Sequence, residues 1–211
     1  WKGCWFFMNH NFDVIIVGGG AAGLYGAIQL PSYCKVLLIC KQEMTLCNSS
    51  LAQGGIAGVY KSPEDDTPEL HKQDTMIAGG FKNNPESVQI LVDDAAMAID
   101  SLLKLGADFD RKPDGSLEGG HCRHRIFHHK DTTGEEIVRT LMRKVKTLPN
   151  VTILESAMMV GLQKTSTGFS VNVRKDDAFT IYNSHFVLLA TGGIGRMYAY
   201  TTNSKIATGD G

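Results

Sequence analysis

The feature that most constrains the fold is a glycine-rich turn between an apolar run and a segment with helical periodicity. Residues 13–17 read Asp-Val-Ile-Ile-Val, a β-branched run typical of a strand buried in a parallel sheet. Gly18, Gly20 and Gly23 follow at G-x-G-x-x-G spacing, and Ala21 to Leu30 has the apolar positions of a helix. Glycines at these places allow a tight turn, close approach of a pyrophosphate and close helix packing. An empty glycine turn is the alternative, but the flanking strand and helix favour a dinucleotide-binding unit.

The composition argues against several classes of protein. A formal net charge of -1 over 211 residues provides no basic field for nucleic acid and no polybasic patch for a membrane surface. No apolar stretch reaches the length of a membrane span. The five cysteines lack C-x-x-C spacing, which indicates free thiols in a reducing cytoplasm. The histidines between 121 and 129 do not match the spacing of a closed zinc site, so we predict no metal centre.

A second predicted strand, at residues 35–40, completes a parallel βαβ unit but lacks a familiar acid at its end. Cys40 and Lys41 stand where NAD-binding units usually place the carboxylate that binds the adenosine ribose, and Glu43 is only nearby. This departure weakens a generic NAD interpretation. The loop at 48–58 is polar and glycine-rich, and its small side chains suit close contact with a large flat cofactor.

Periodicity and turn residues predict further elements along the chain. Helices are predicted at 69–78, from Pro85 after an Asn84 N-cap to just before Gly106, and from a Thr133/Glu136 capping box to about Lys146. A turn at 113–115 is predicted to close a hairpin. Strands are predicted at 151–155, 157–162, 169–174 and 186–190, of which the first three suggest a small antiparallel addition. The last runs into Thr191 and Gly192, as expected for a strand end where ligands bind.

Four blocks together resemble the flavoprotein family that contains L-aspartate oxidase and the flavoprotein subunits of succinate dehydrogenase and fumarate reductase. The blocks are Gly18-x-Gly20-x-x-Gly23, Ala52-Gln53-Gly54-Gly55-Ile56, Ala190-Thr191-Gly192-Gly193 and Gly209-Asp210-Gly211. In this order and spacing they are far more specific than any one alone. The resemblance implies an α/β protein, with a Rossmann-like doubly wound FAD-binding domain and a small antiparallel β addition, that stops before the family's capping domain.

The same resemblance implies FAD as the cofactor. Relatives of the succinate dehydrogenase type link FAD covalently to a histidine shortly before the Gln-Gly-Gly loop, whereas residues 47–51 here read Cys-Asn-Ser-Ser-Leu. We therefore expect non-covalent FAD. The family's motifs imply that the cofactor is bound by Gly18, Gly20, Ala22, Gly23, Lys41, Ser49, Ser50, Ala52, Gln53, Gly54, Gly55, Met158, Ala190, Thr191, Gly192 and Asp210.

The segment Glu118-Gly-Gly-His121, followed by Arg125, is similar to the aspartate-oxidase pattern within this family. A carboxylate such as Glu118 near the substrate favours an amino dicarboxylate, which carries an ammonium group, over succinate. His121 and Arg125 are suited to bind substrate carboxylates. These three residues are the predicted catalytic group, although a solvated hairpin residue is the alternative for Glu118.

The resemblance implies FAD-dependent oxidation of L-aspartate to iminoaspartate, the first step of quinolinate and NAD biosynthesis. Hydride would pass from the substrate α-carbon to the flavin, oxygen or fumarate would reoxidise it, and quinolinate synthase would act downstream. A soluble fumarate reductase-like enzyme and a non-enzymatic FAD-binding module are the alternatives. We expect residues 1–11 to be an N-terminal extension and residues 12–211 an incomplete FAD-binding domain. With the capping and C-terminal helical domains absent, we expect this chain to be inactive alone.

Overall fold

The computed structural model describes residues 10–61, 65–110 and 117–211, which form two compact units. Unit 1 contains the residues up to Ser49 and those from Leu141 onward, and unit 2 contains residues 50–140. The turn predicted at 113–115 lies outside the described residues. In chain order, the strands and helices are β1 (His10–Val17), α1 (Ala21–Gln29), β2 (Val36–Ile39), β3 (Ile56–Ala57), α2 (Pro68–Ala78), α3 (Pro85–Lys104), β4 (Ile126–Phe127), α4 (Thr133–Val145), β5 (Val151–Leu154), β6 (Ala157–Lys164), β7 (Phe169–Lys175) and β8 (Ala178–Leu189).

Unit 1 is built on a mixed sheet, whose described part has six strands in the order β5-β2-β1-β8-β7-β6. The first four strands are parallel to one another, and β8, β7 and β6 are antiparallel neighbours. This arrangement confirms the predicted α/β class with a dominant parallel sheet and an antiparallel addition. The prediction that residues 151–155 belong to the addition is wrong, because β5 pairs in parallel with β2. Since β5 follows a helix rather than a tight turn, it joins the sheet by a crossover connection.

Strand β8 belongs to both parts of the sheet. It begins eight residues earlier than the strand predicted at 186–190, because the sequence signal was strongest only in its apolar second half. Lys175 pairs with Ala178, so Asp176 and Asp177 form a two-residue turn between β7 and β8, with Asp176 at a φ of 52°. Beyond this hairpin, β8 continues alongside β1, where Val187 pairs with Ile15.

The centre of the sheet is apolar on both faces, as expected for parallel strands. Ile15 and Leu37 belong to a buried cluster shared with β6 and β7. Ile16 lies on the opposite face, where its methyl group approaches Gly23 of α1. A Cβ atom at Gly23 would overlap the carbonyl oxygen of Gly18. Helix α1 can therefore lie close to β1 only because position 23 has no side chain.

Unit 2 is mainly helical, with a short antiparallel pairing of β3 and β4. The predicted N-cap of α3 is confirmed, because Asn84 Oδ1 accepts a hydrogen bond from the Ser87 N–H at 2.9 Å. The predicted capping box of α4 is wrong. Thr133 Oγ1 instead accepts from the His129 N–H, and Glu136 Oε1 accepts from the Asp108 N–H at 2.8 Å. Among the described residues, no helix is both long and apolar enough to cross a membrane.

Replacing Gly23 with Ala should destabilise the protein, because the added methyl group overlaps main-chain atoms that no side-chain movement can clear. We expect a loss of about 2 to 3 kcal/mol in the free energy of unfolding, measured by urea titration. The matched control is Gly161→Ala in β6, where an added Cβ would be 3.6 Å from Asn172 Cβ, an ordinary contact. Equal stability of the two variants would contradict this account of the α1 packing.

Candidate functional site

A cleft of about 340 Å³ opens in unit 1 at the carboxyl ends of β1, β2 and β8. It is lined by the glycine turn at 18–22, by residues 40–44 and 47–49 after β2, and by residues 189–193 after β8. In this sheet β2 and β8 lie on opposite sides of β1, so the strand order reverses at β1. Ligands of open α/β sheets bind at the carboxyl edge beside such a reversal. The cleft is therefore the candidate binding site of unit 1.

The start of α1 provides this cleft with hydrogen-bond donors. Its N-cap, Gly20, makes no side-chain capping bond, and Ser49 Oγ accepts the Ala21 N–H at 3.2 Å. The remaining main-chain donors of a helix start, together with the positive end of its dipole, suit an anion such as a pyrophosphate. A Cβ at Gly192 would meet no atom within 4 Å, so open space adjoins the opposite wall.

Lys41, which follows β2, brings a cationic side chain to the cleft. Residues 206–210 hold this side chain in place. Its Nζ atom donates to Asp210 Oδ2 at 2.5 Å, to Thr208 Oγ1 at 2.6 Å and to Ile206 O at 2.7 Å. The hydrogen bond from Lys41, with a second from Thr208, lowers the pKa of Asp210. Lys41 and Asp210 also line a smaller hollow of about 70 Å³, together with Met158.

The predicted cofactor residues are divided between the two units, with eleven in unit 1 and five in unit 2. Gly23 lies beneath the cleft, where it permits the packing of α1. Met158, Thr191 and Asp210 line the smaller hollow. Ser50 and the four residues Ala52 to Gly55 belong to unit 2. The predicted residues that line the cleft are Gly18, Gly20, Ala22, Lys41, Ser49, Ala190, Thr191 and Gly192.

Several lining residues were not predicted from the sequence, among them Cys40, Met44 and Cys47. Their position in the segment between β2 and the glycine-rich loop was the only available signal. Burial, with smaller contributions from Glu155 and Cys47, raises the pKa of Cys40 to about 12. The Cys40 thiol is therefore neutral at physiological pH and forms part of an apolar wall.

In unit 2, the loop with the sequence Gln53-Gly54-Gly55 lies against the segment that contains Glu118. A Cβ at Gly55 would overlap Ile126, so this position requires glycine for the loop to reach β4. A Cβ at Gly54 would be 3.9 Å from Glu118 Oε2. The exposed Glu118 carboxylate thus lies next to the loop that was predicted to contact the cofactor.

The geometry of Arg125 argues against the substrate-binding role predicted for it. Its guanidinium group has no exposed surface and forms ion pairs with Asp66 at 2.6 Å and Asp74 at 2.7 Å. The Asp66 side chain is also buried, with 2% of its surface exposed. A guanidinium that is already paired with two carboxylates is not open to a substrate carboxylate. The sequence motif singled out Arg125, but it contained no information about its partners Asp66 and Asp74.

Asp74 joins this arginine to the neighbouring main chain. Its Oδ2 atom accepts from the Cys122 N–H at 2.8 Å as well as from Arg125. Burial alone would raise the pKa of Asp74, but the hydrogen bonds from Cys122 and Arg125 outweigh it and lower the pKa. Because the folded-state pKa is lowered, the contribution of Asp74 to stability is present above the usual carboxyl range and is lost as pH falls through the lowered value.

The glycine turn, the helix start that follows it and the cleft at the switch of strand order define a dinucleotide-binding domain. Residues 13–211 match the family described as FAD binding domain, and the chain belongs to that family. FAD is accordingly its cofactor, as the motifs implied. The main-chain donors of α1 and the glycine-lined walls fit the pyrophosphate of this cofactor.

The relatives with curated names include L-aspartate oxidases. The protein from Synechocystis is 41% identical over 208 residues, which are 96% of this chain and 37% of that protein. The protein from Clostridium perfringens is 39% identical and is covered to 46% of its length. The chain therefore spans less than half the length of these relatives. These findings confirm the family that the motifs resembled.

Solved structures of related flavoproteins have the same fold. The E. coli quinol fumarate reductase superimposes with a TM-score of 0.87 at 28% identity, over 95% of this chain and 36% of the other. The Mycobacterium smegmatis Sdh1 complex gives a TM-score of 0.88 at 27% identity, over 96% and 38% of the two chains. The predicted FAD-binding fold is confirmed.

Replacing Arg125 with Met should be strongly destabilising, because the buried Asp66 and the partly buried Asp74 would be left without a counter-charge. We expect a loss of about 3 to 5 kcal/mol in the free energy of unfolding. Arg123→Met is the matched control, since Arg123 is 38% exposed and pairs with the exposed Asp65 at 3.1 Å. The control should cost less than about 1 kcal/mol. Similar losses in the two variants would show that the Arg125 pairs do not stabilise unit 2.

Proposed function

We propose that this chain is the FAD-binding part of an enzyme that oxidises L-aspartate to iminoaspartate. The observation that carries the proposal is its similarity to relatives named L-aspartate oxidase, at 35 to 41% identity over nearly the whole chain. The fumarate reductase and Sdh1 structures are less similar in sequence, at 28% and 27% identity. The fold is common to both groups, so it does not distinguish between their reactions.

The chemistry of Glu118 supports aspartate as the substrate. Its carboxylate is exposed and lies beside Gly54 of the loop that was predicted to contact the cofactor. A fixed negative charge there attracts the α-ammonium group of aspartate, whereas succinate offers no positive charge and is repelled. FAD supplies the two-electron acceptor, while the protein binds and orients the substrate.

The roles of individual residues follow from this proposal. The cleft-lining residues around Gly20, Lys41 and Thr191 would bind FAD, with Met158 and Asp210 at the adjoining hollow. Glu118 and His121 would contact the substrate. The same proposal includes oxygen or fumarate as the electron acceptor, quinolinate synthase as the downstream enzyme, a place in NAD biosynthesis and a cytoplasmic location. Two expectations stay predictions: that residues 1–11 are an extension before the FAD-binding domain, and that this chain is inactive alone.

A soluble fumarate reductase-like enzyme is the second candidate. The close superposition on the E. coli quinol fumarate reductase is compatible with it, although the fold alone does not separate the two candidates. The first candidate requires a substrate with an ammonium group, and the second does not. A substitution of Glu118 therefore distinguishes them.

FAD bound to the purified chain should be released by acid. The segment Cys47-Asn48-Ser49-Ser50-Leu51, just before the Gln-Gly-Gly loop, contains no histidine for a covalent link. The measurement is the absorption spectrum of the supernatant and the pellet after acid precipitation of the FAD-loaded protein. Flavin that stays in the pellet would contradict the proposed non-covalent binding.

Replacing Glu118 with Gln in the longest polypeptide that the gene encodes should lower kcat/KM for L-aspartate about tenfold or more. The estimate follows from about 1.5 to 3 kcal/mol for a hydrogen bond between charged groups. Glu135→Gln, at an exposed residue of the first turn of α4, is the control and should leave the rate unchanged. Turnover of fumarate with reduced flavin, and none of aspartate, would instead favour the second candidate.

A further inference from the structure

Unit 2 contains a largely buried polar cluster, of which the proposed reaction uses only His121. We call it the arginine cluster and define it as Asp66, His71, Asp74, His121 and Arg125. Asp66 comes from the loop before α2, His71 and Asp74 lie on α2, and the other two belong to the segment before β4. The cluster thus joins α2 and the loop before it to the segment that contains Glu118.

Arg125 uses all five of its N–H groups within this region. Two of them donate to Asp66, from Nε at 3.1 Å and from Nη2 at 2.6 Å. One Nη1 hydrogen donates to Asp74 at 2.7 Å, and the second Nη2 hydrogen reaches Cys122 Sγ at 4.0 Å. The remaining Nη1 hydrogen faces His121 Nδ1 at 3.4 Å. A guanidinium has donors and no acceptor, so the partner nitrogen of the imidazole must accept.

This requirement determines where the proton of a neutral His121 lies. If Nδ1 carried the proton, two donors would face each other beside a permanent cation. We propose that Arg125 is a positioning residue that holds His121 as its Nε2–H tautomer, so that Nε2 donates a hydrogen bond to a carboxylate of the substrate. The tautomer follows from the geometry alone, whereas the substrate contact rests on the function proposed above.

Other contacts restrict the orientation of the His121 ring and its main chain. The His71 ring lies 5.6 Å away, centroid to centroid, at an interplanar angle of 51°. His71 is 2% exposed, and its Nδ1 atom has no hydrogen-bond partner among the described residues. Burial, with Arg125 and His121 adding to it, lowers the pKa of His71, so that this ring stays neutral. The His121 N–H donates to the Glu118 carbonyl oxygen at 3.2 Å.

This arrangement assigns His121 to hydrogen-bond donation rather than to proton abstraction. An imidazole whose Nδ1 lone pair is occupied and whose Nε2 is protonated presents a donor to the substrate and no free base. Glu118 would then recognise the ammonium group, and His121 would bind a carboxylate at a position fixed by Arg125. The segment from 118 to 125 therefore contributes to substrate recognition rather than to acid–base catalysis.

The tautomer can be measured without any activity. Two-bond ¹H–¹⁵N spectra of the purified chain, labelled with ¹⁵N-histidine and recorded at about pH 8, above the usual imidazole range, report the state of each ring nitrogen. His121→Gln assigns the signals, and the exposed His124 is the internal reference. We expect a single Nε2–H form for His121 and a tautomer average for His124. An average, an Nδ1–H form or an imidazolium at His121 would overturn the proposal.

Loss of the Arg125 fork should release the ring. In Arg125→Lys, which keeps the positive charge, His121 should change to a tautomer average. If this variant does not fold, the wild-type spectrum still decides the question. A folded Arg125→Lys variant with an unchanged single Nε2–H form would show that Arg125 does not set the tautomer.

Kinetics of the longest polypeptide that the gene encodes test the substrate contact. The side-chain amide of Gln can replace the Nε2–H donor of histidine, whereas that of Asn is one methylene shorter. His121→Gln should retain kcat/KM for aspartate within about fivefold with an unchanged pH profile, and His121→Asn should lose about 50-fold, mainly in KM. Equal losses in the two variants would overturn the contact. If no form oxidises aspartate, the proposed function fails, while the spectra still judge the tautomer.

Discussion

The contact between the Gly18 carbonyl and the Gly23 backbone is the constraint on which unit 1 depends. Because β1 lies between β2 and β8, any displacement of α1 would move the helix start away from the ends of all three strands. The cleft exists where these ends meet, and its main-chain donors come from the same turn. The glycine spacing therefore specifies the packing of α1 and the binding site together, through a single close approach of two backbones.

Unit 2 depends on a different kind of constraint. Its centre is a charged side chain, Arg125, that has no solvent-exposed surface. An arrangement of this kind contributes little net stability relative to apolar residues, but it fixes which groups lie next to one another, because every donor requires its acceptor. The segment before β4 has little regular secondary structure, and the arginine provides the order that a helix or strand would otherwise supply.

The parts of the fold that depend on local pattern were predictable, and those that depend on distant partners were not. The spacing of Gly18, Gly20 and Gly23 predicted the dinucleotide-binding unit, and Asn84 marked the start of α3, because both signals act within a few residues. The parallel pairing of β5 and the contacts of Thr133 depend on neighbours from elsewhere in the chain. Local periodicity contains no information about such neighbours.

The candidate site shows the same division. The motifs identified Lys41 and Asp210 separately, but their ion pair joins residues 169 positions apart. Arg125 was assigned to the substrate because its partners Asp66 and Asp74 are 59 and 51 positions away. A motif indicates the chemistry of a residue, whereas burial and pairing decide whether that chemistry faces a ligand.

The two-residue turn between β7 and β8 has a consequence for how proteins with this fold can diverge. Strand β8 is continuous from this hairpin to the edge of the cleft, so its pairing with β7 also determines where Ala190 and Thr191 lie. An insertion or deletion of one residue within β8 would exchange its two faces and shift its end relative to Gly18. We therefore expect proteins with this fold to tolerate a change of length within β8 less well than one in their surface loops.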